Sequence, residues 1–126
     1  RYPLELYALT ENSVMRYLPD GHRAERADST ALGELPDAAF GQEFVGSAPV
    51  VLIVVGVVAR TEAEYGALAE RLVDREAGHA VQNVLLQATA LGLAATPVGG
   101  FDPDTVARLL TLPPGHEVLY LVPVGA

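Results

Sequence analysis

The residues of this 126-residue chain whose types invite a chemical reading are three histidines, a pair of serines, a tyrosine and a glycine doublet. His22, His79 and His116 lie far apart, and none belongs to a spaced His/Cys/carboxylate motif, so no metal set emerges. Ser29 or Ser47 could be drawn into a Ser–His–Asp arrangement, but neither sits in a nucleophile elbow. Cysteine is absent, which excludes thiolate chemistry and disulfides. Gly99-Gly100 lacks the spacing of a P-loop or of a dinucleotide fingerprint. By itself the doublet is an ordinary turn ahead of Asp102.

These residues must be positioned by a small set of elements. Pro3 to Thr10 and Val14 to Leu18 have the composition of two strands joined by the polar turn Glu11-Asn12-Ser13. Pro19-Asp20-Gly21-His22 has turn chemistry, and from His22 to Gln42 the weaker pattern predicts one or two short helices interrupted at Pro36. Pro49 to Ala59 is continuously apolar and β-branched, as a strand covered on both faces must be. Glu62 to Leu93 is helical by composition, with Gly66 and Gly78 as breaks or points of close contact. In its second half, Val81 to Leu93, apolar residues cover almost the whole circumference, so the helix requires cover on every side. A domain this small cannot supply that, and a partner subunit is expected to. Gly92 suits the left-handed position that ends a helix. Thr96 to Phe101 follows as a short strand and glycine turn. Asp102 and Pro103 have the order of an N-cap and first helical residue for a helix to about Leu110. Glu117 to Val124 is a final strand, and the order of elements predicts an α+β domain spanning residues 1–126.

Bulk properties narrow the function. A formal net charge of −8 argues against a nucleic-acid or anionic-membrane partner, because phosphate binding needs clustered positive charge. The apolar run from Pro49 to Ala59 is too short to span a bilayer, and no export pattern opens the chain, so a cytoplasmic location is expected. All eight basic residues are arginine.

Taken together, Glu64-Tyr65-Gly66, EAGHAVQN at Glu76 to Asn83 and LGLAATPVGGF at Leu91 to Phe101 resemble the FMN-dependent nitroreductase-like family. The likeness is strongest to its azoline (thiazoline/oxazoline) dehydrogenase branch. YPLELY at Tyr2 to Tyr7, APVVL at Ala48 to Leu52 and YLVPVG at Tyr120 to Gly125 extend it over nearly the whole chain. The resemblance implies a nitroreductase-like mixed sheet with a long buried helix, Arg75 to Leu91, at a homodimer interface. It implies FMN in a groove between subunits, with Pro97, Val98, Gly99 and Gly100 beside the N5 and O4 edge of the isoalloxazine. A missing Cβ would let backbone approach such a planar ligand closely. Tyr65 matches the tyrosine of a family Lys-Tyr pair assigned to proton handling, but Glu64 stands in the lysine's place. Leu68, Ala69, Glu70 and Leu72 also depart from the family pattern, while Arg71 keeps it. His79 and Asn83 match the long helix and are more simply satisfied by backbone or by a partner helix.

The family's arginine-rich phosphate grip and its Ser-Ala-Gly-Ala-like segment would lie before Arg1, so the chain is similar to the family's C-terminal part. Arg1, Arg16 and Arg71 are then the candidates for the phosphate. The activity implied is oxidation of an azoline to an azole on a small molecule or modified peptide, or NAD(P)H-driven reduction of nitro or quinone compounds. The alternative is a truncated, flavin-free and non-catalytic subunit that retains the dimer scaffold.

Overall fold

A computed structural model describes residues 2–27 and 32–126, with Leu32 described in its backbone alone. Strands β1 (Leu4–Leu9), β2 (Val14–Leu18) and β3 (Arg23–Arg26) form a meander. A short 3-10 turn (Leu32–Glu34) leads into helices α1 (Leu35–Ala38) and α2 (Glu43–Ser47). Strand β4 (Val50–Gly56), helix α3 (Ala59–Tyr65), the long helix α4 (Ala69–Ala90) and the two-residue strand β5 (Ala94–Ala95) follow. Helix α5 (Pro103–Leu109) and strand β6 (Glu117–Gly125) complete the chain. The sheet has the order β3-β2-β1-β4-β6-β5, and every pairing is antiparallel. The mixture therefore lies in the α and β layers and not in the strand directions.

β4 and β6 are neighbours inside this sheet, each paired on both sides, as their continuous apolar sequences require. The period-2 alternation of strands divides their side chains between two cores. Tyr7, Leu9, Val51, Ile53, Val55 and Leu121 face one side, where α1, α2 and α5 close over them. Leu4, Val54 and Val122 face the other and meet Val73, Ala77 and Val81 of α4. Those three helix residues recur every four positions, so they form a single stripe along the helix. Ile53 and Leu121 are completely buried, each contributing about 1.5–3 kcal/mol by removal from water.

At Val54/Val55 the register shifts, leaving Leu119 as the extra residue on β6. A Cβ on Gly56 would lie 2.7 Å from the end of Leu119 and 3.0 Å from Val73, so the glycine makes room for both the bulge and α4.

The structure corrects two expectations and decides a third. The stretch after His22 begins with strand β3, paired to β2 from Met15/Arg26 to Leu18/Arg23, before the short helices appear. Its four residues are all exposed, so it is held by backbone pairing and carries no apolar signature. Strand β4 stops at Gly56, and Ala59 already opens α3. Of the two glycines expected to break the helix of residues 62–93 or pack closely within it, Gly66, at φ +53°, separates α3 from α4, and Gly78 continues the helix without a break. Residues 28–31, including Ser29, and Arg1 lie outside the described residues.

The other end of α4 is as expected. Gly92 has φ +74°, and Leu93 N–H bonds back to the Ala88 carbonyl at 2.8 Å. Nothing crowds the Cα of Gly92, so the glycine serves conformation alone. Gly92→Ala should cost about 1 kcal/mol and lower Tm by about 4 °C, measurable by thermal unfolding.

Candidate functional site

The segment from Pro97 to Asp102 is held at its two ends by backbone hydrogen bonds and, beside Asp102, by the buried side chain of Phe101. Val98, buried, forms an isolated bridge with Leu121 of β6: its N–H donates to the Leu121 carbonyl at 2.7 Å, and Leu121 N–H returns to Val98 at 3.1 Å. At the other end Asp102 N–H donates to the Ala38 carbonyl at 2.7 Å. The Asp102 carboxylate caps α5 through the N–H groups of Asp104 and Thr105 and accepts the Thr105 hydroxyl at 2.8 Å. The Thr105 hydroxyl and backbone bonds hold its pKa below the ordinary aspartate value.

Between these anchors, the backbone N–H groups of Gly99, Gly100 and Phe101 donate to no acceptor among the described residues. Neither glycine has positive φ, and a Cβ built on either would meet nothing within 4 Å. Turn geometry and internal packing therefore give no reason for glycine here. Both are exposed, and Gly99 borders a depression of about 340 Å³ together with Asp74, Ala77, Leu119 and Tyr120. The Gly100 carbonyl accepts a bond from Gln42 Nε2 at 2.8 Å.

Tyr65 ends α3 with 49% of its surface exposed, and it is not among the residues lining this depression. Pro97, His79 and Asn83 are exposed. Of the candidate phosphate ligands, Arg71 is exposed on the first turn of α4 and makes no ion pair among the described residues. Arg16 is engaged by carboxylates instead, at 3.1 Å from Glu5 and 3.4 Å from Glu25. Asp74 is the one acidic residue that borders the depression; the Glu117 carboxyl, outside that lining, is raised by burial and further by the negative fields of Asp74, Glu70 and Asp104.

A second polar cluster was not foreseen. Glu5 is buried on the sheet face it shares with Tyr7 and Leu9. Its Oε1 accepts Arg60 at 2.5 Å and Arg16 at 3.1 Å, and its Oε2 lies 3.7 Å from His116 Nδ1. The signal was available, since a carboxylate in phase with inward-facing apolar residues of a strand demands a buried partner. Burial alone would raise the Glu5 carboxyl. The Arg60 hydrogen bond and the positive fields of Arg16, Arg60 and His116 outweigh burial and hold it below the ordinary value of 4.5. A depressed folded pKa stabilises the fold above the unfolded value, and that contribution is lost as pH falls through the folded value. Acid titration of unfolding should therefore show stability declining below about pH 4.5, with a shallower decline in Glu5→Gln.

Among the described residues no group of three His, Asp or Glu side chains could hold a metal ion, and no helix is long and apolar enough to cross a membrane.

Comparison with known proteins places these features in context. The model of the nitroreductase family matches residues 1–126. A protein of Methanocaldococcus jannaschii ascribed to the nitroreductases is 38% identical over 131 residues, covering 98% of this chain and 65% of that relative. The chain thus spans just under two-thirds of the relative's length. Among solved structures, a protein of Anabaena variabilis ascribed to the nitroreductases superposes with a TM-score of 0.84 at 25% identity, over 98% of this chain and 27% of that one. The Escherichia coli microcin synthetase McbBCD complex with truncated pro-MccB17 bound gives a TM-score of 0.88 at 23% identity, over 99% of this chain and 52% of the matched chain. NADPH:FMN oxidoreductase from Vibrio harveyi, complexed with NAD+, gives 0.71 at 23% identity, over 98% and 50%.

Proposed function

The chain belongs to the nitroreductase family, and on that premise we propose that it forms part of an FMN-dependent oxidoreductase whose flavin edge lies against Gly99 and Gly100. The observation that carries this reading is the run of three unengaged amides from Gly99 to Phe101, the first two belonging to glycines with open space where a Cβ would lie. Such a strip can donate to acceptors on a planar ring while the missing Cβ atoms let the ring approach. FMN, when bound, supplies two-electron hydride chemistry. The protein's part is to bind, orient and shield it.

Several residues have definable tasks in that arrangement. Val98, bridged to Leu121, and Pro97 fix where the strip begins. Arg71, exposed and without an ion pair among the described residues, is the arginine proposed to meet the phosphate. Tyr65 is the proposed proton-handling residue. Half-exposed at the end of α3, it is accessible to a substrate or to a partner chain.

A homodimer is part of the proposal. Leu86 and Leu91 expose 60% and 64% of their surface on the outer side and end of α4, where a second copy would cover them. The substrate class follows the family resemblance: an azoline on a small molecule or peptide, or a nitro or quinone compound with NAD(P)H as donor, in the cytoplasm. One sequence feature favours the flavin-free alternative, namely Glu64 where the family's azoline dehydrogenases carry lysine. The visible absorption spectrum of the purified dimer separates the two. A yellow protein that releases FMN on denaturation supports the enzyme, and a colourless one that stays colourless with added FMN supports the alternative.

A further inference from the structure

Gln42 stands 58 residues away from Gly100 in sequence, yet its side-chain amide joins the two segments. Nε2 donates to the Ala39 carbonyl at 2.7 Å and to the Gly100 carbonyl at 2.8 Å, which uses both of its protons. It does not cap α2, although it occupies the N-cap position of that helix. Its backbone is fixed as well: Gln42 N–H donates to the Ala39 carbonyl at 3.2 Å, and its carbonyl accepts Val45 N–H at 3.0 Å. The amide is therefore a short, oriented strut, set between the α1–α2 loop and the glycine strip.

The consequence is set by peptide geometry. In a planar trans peptide the C=O and N–H point in opposite directions. Holding the Gly100 carbonyl toward Gln42 turns the N–H of the same peptide, that of Phe101, away from Gln42. That N–H is one of the three that donate to nothing among the described residues. Glycine has the widest backbone freedom of any residue, so a Gly-Gly strip held by backbone bonds at Val98 and Asp102 and by the buried Phe101 side chain would otherwise leave the Gly100 peptide free to take several orientations. The strut removes that freedom at the centre of the strip.

We propose that Gln42 is a positioning residue for the cofactor: it presets the Gly100–Phe101 peptide so that its N–H faces the flavin edge. This rests on the flavin reading above, and the experiment is designed so that the two can fail separately. Gln42→Leu keeps the size of the side chain and removes both donors. In the ligand-free protein, NMR should show the amide signals of Gly99, Gly100 and Phe101 shifted and broadened relative to the unsubstituted chain, with amides away from the strip and from the loop of residues 39–45 unchanged. In the FMN-bound protein, Kd for FMN should rise about tenfold, and the flavin's visible band and reduction potential should shift. Gln42→Asn, one methylene shorter but still a donor, should recover part of both effects. Gly92→Ala serves as the control for general destabilisation and should leave FMN affinity and the visible band as they were. Unperturbed strip amides in Gln42→Leu would overturn the inference whether or not the chain binds FMN. So would perturbed amides accompanied by unchanged affinity, spectrum and potential. Failure of the unsubstituted chain to bind FMN would overturn the cofactor role and the flavin reading together, while the NMR comparison still decides whether Gln42 orders the strip.

Discussion

Replacing Gly99 and Gly100 together with valine is expected to abolish FMN binding by a chain that folds as before. Neither glycine has positive φ, and added Cβ atoms would enter open space, so the substitution meets neither left-handed backbone strain nor a Cβ clash within the protein. Surface changes of that kind alter stability by about 0.5 kcal/mol or less, and Tm should be nearly unchanged. The open space is the space assigned to the flavin edge. Two branched side chains there would hold the ring away from the amides of Gly99 to Phe101 and break every bond that the strip could make. A loss of at least 100-fold in FMN affinity, on the order of 3 kcal/mol, is the expected magnitude for several oriented bonds lost together. Retained affinity in the valine variant would move the flavin away from this segment.

The second large effect is expected at α4. Leu86→Arg should convert a particle of twice the 13.3 kDa chain mass into a monomer, as read by light scattering at micromolar concentration. In a single chain Leu86 is 60% exposed, so an arginine there is hydrated and harmless to the fold. Buried against a second copy without a carboxylate partner, the same charge costs several kcal/mol, roughly a thousandfold in dimer affinity. Circular dichroism should stay native in the variant. A monomeric unsubstituted chain, or a variant that remains dimeric, would remove α4 from the interface.

Much of the fold was legible because its elements carry strong local signals. β4 and β6 are continuous apolar runs, the Asp102-Pro103 start of α5 has its cap chemistry in sequence, and Gly92 marks the end of α4 by the one property that glycine alone supplies. β3 was not legible because Arg23–Arg26 has neither alternation nor β-branched residues, and its pairing partner determines it. The break at Gly66 was foreseen as one of two options, and nothing in the local sequence separates it from Gly78. What decides between them is tertiary: Gly66 takes a left-handed φ between α3 and α4, whereas Gly78 packs near Tyr120 within a continuous helix. At the site, the Pro97–Gly100 segment could be named from its motif. Its tethers could not, because Gln42 and Leu121 reach it from distant parts of the chain. The Glu5 cluster has the same character, joining β1, β2, α3 and the turn before β6 through one buried carboxylate.

Equilibrium titration of the dimer with FMN, followed by quenching of flavin fluorescence, decides whether the chain holds a flavin. Binding should be saturable, with one FMN per chain and a micromolar or lower Kd. Affinity should fall as salt rises, because an arginine must reach the phosphate. Absence of quenching from a chain that remains folded and dimeric would contradict the flavin reading, and would leave a nitroreductase scaffold without its flavin chemistry.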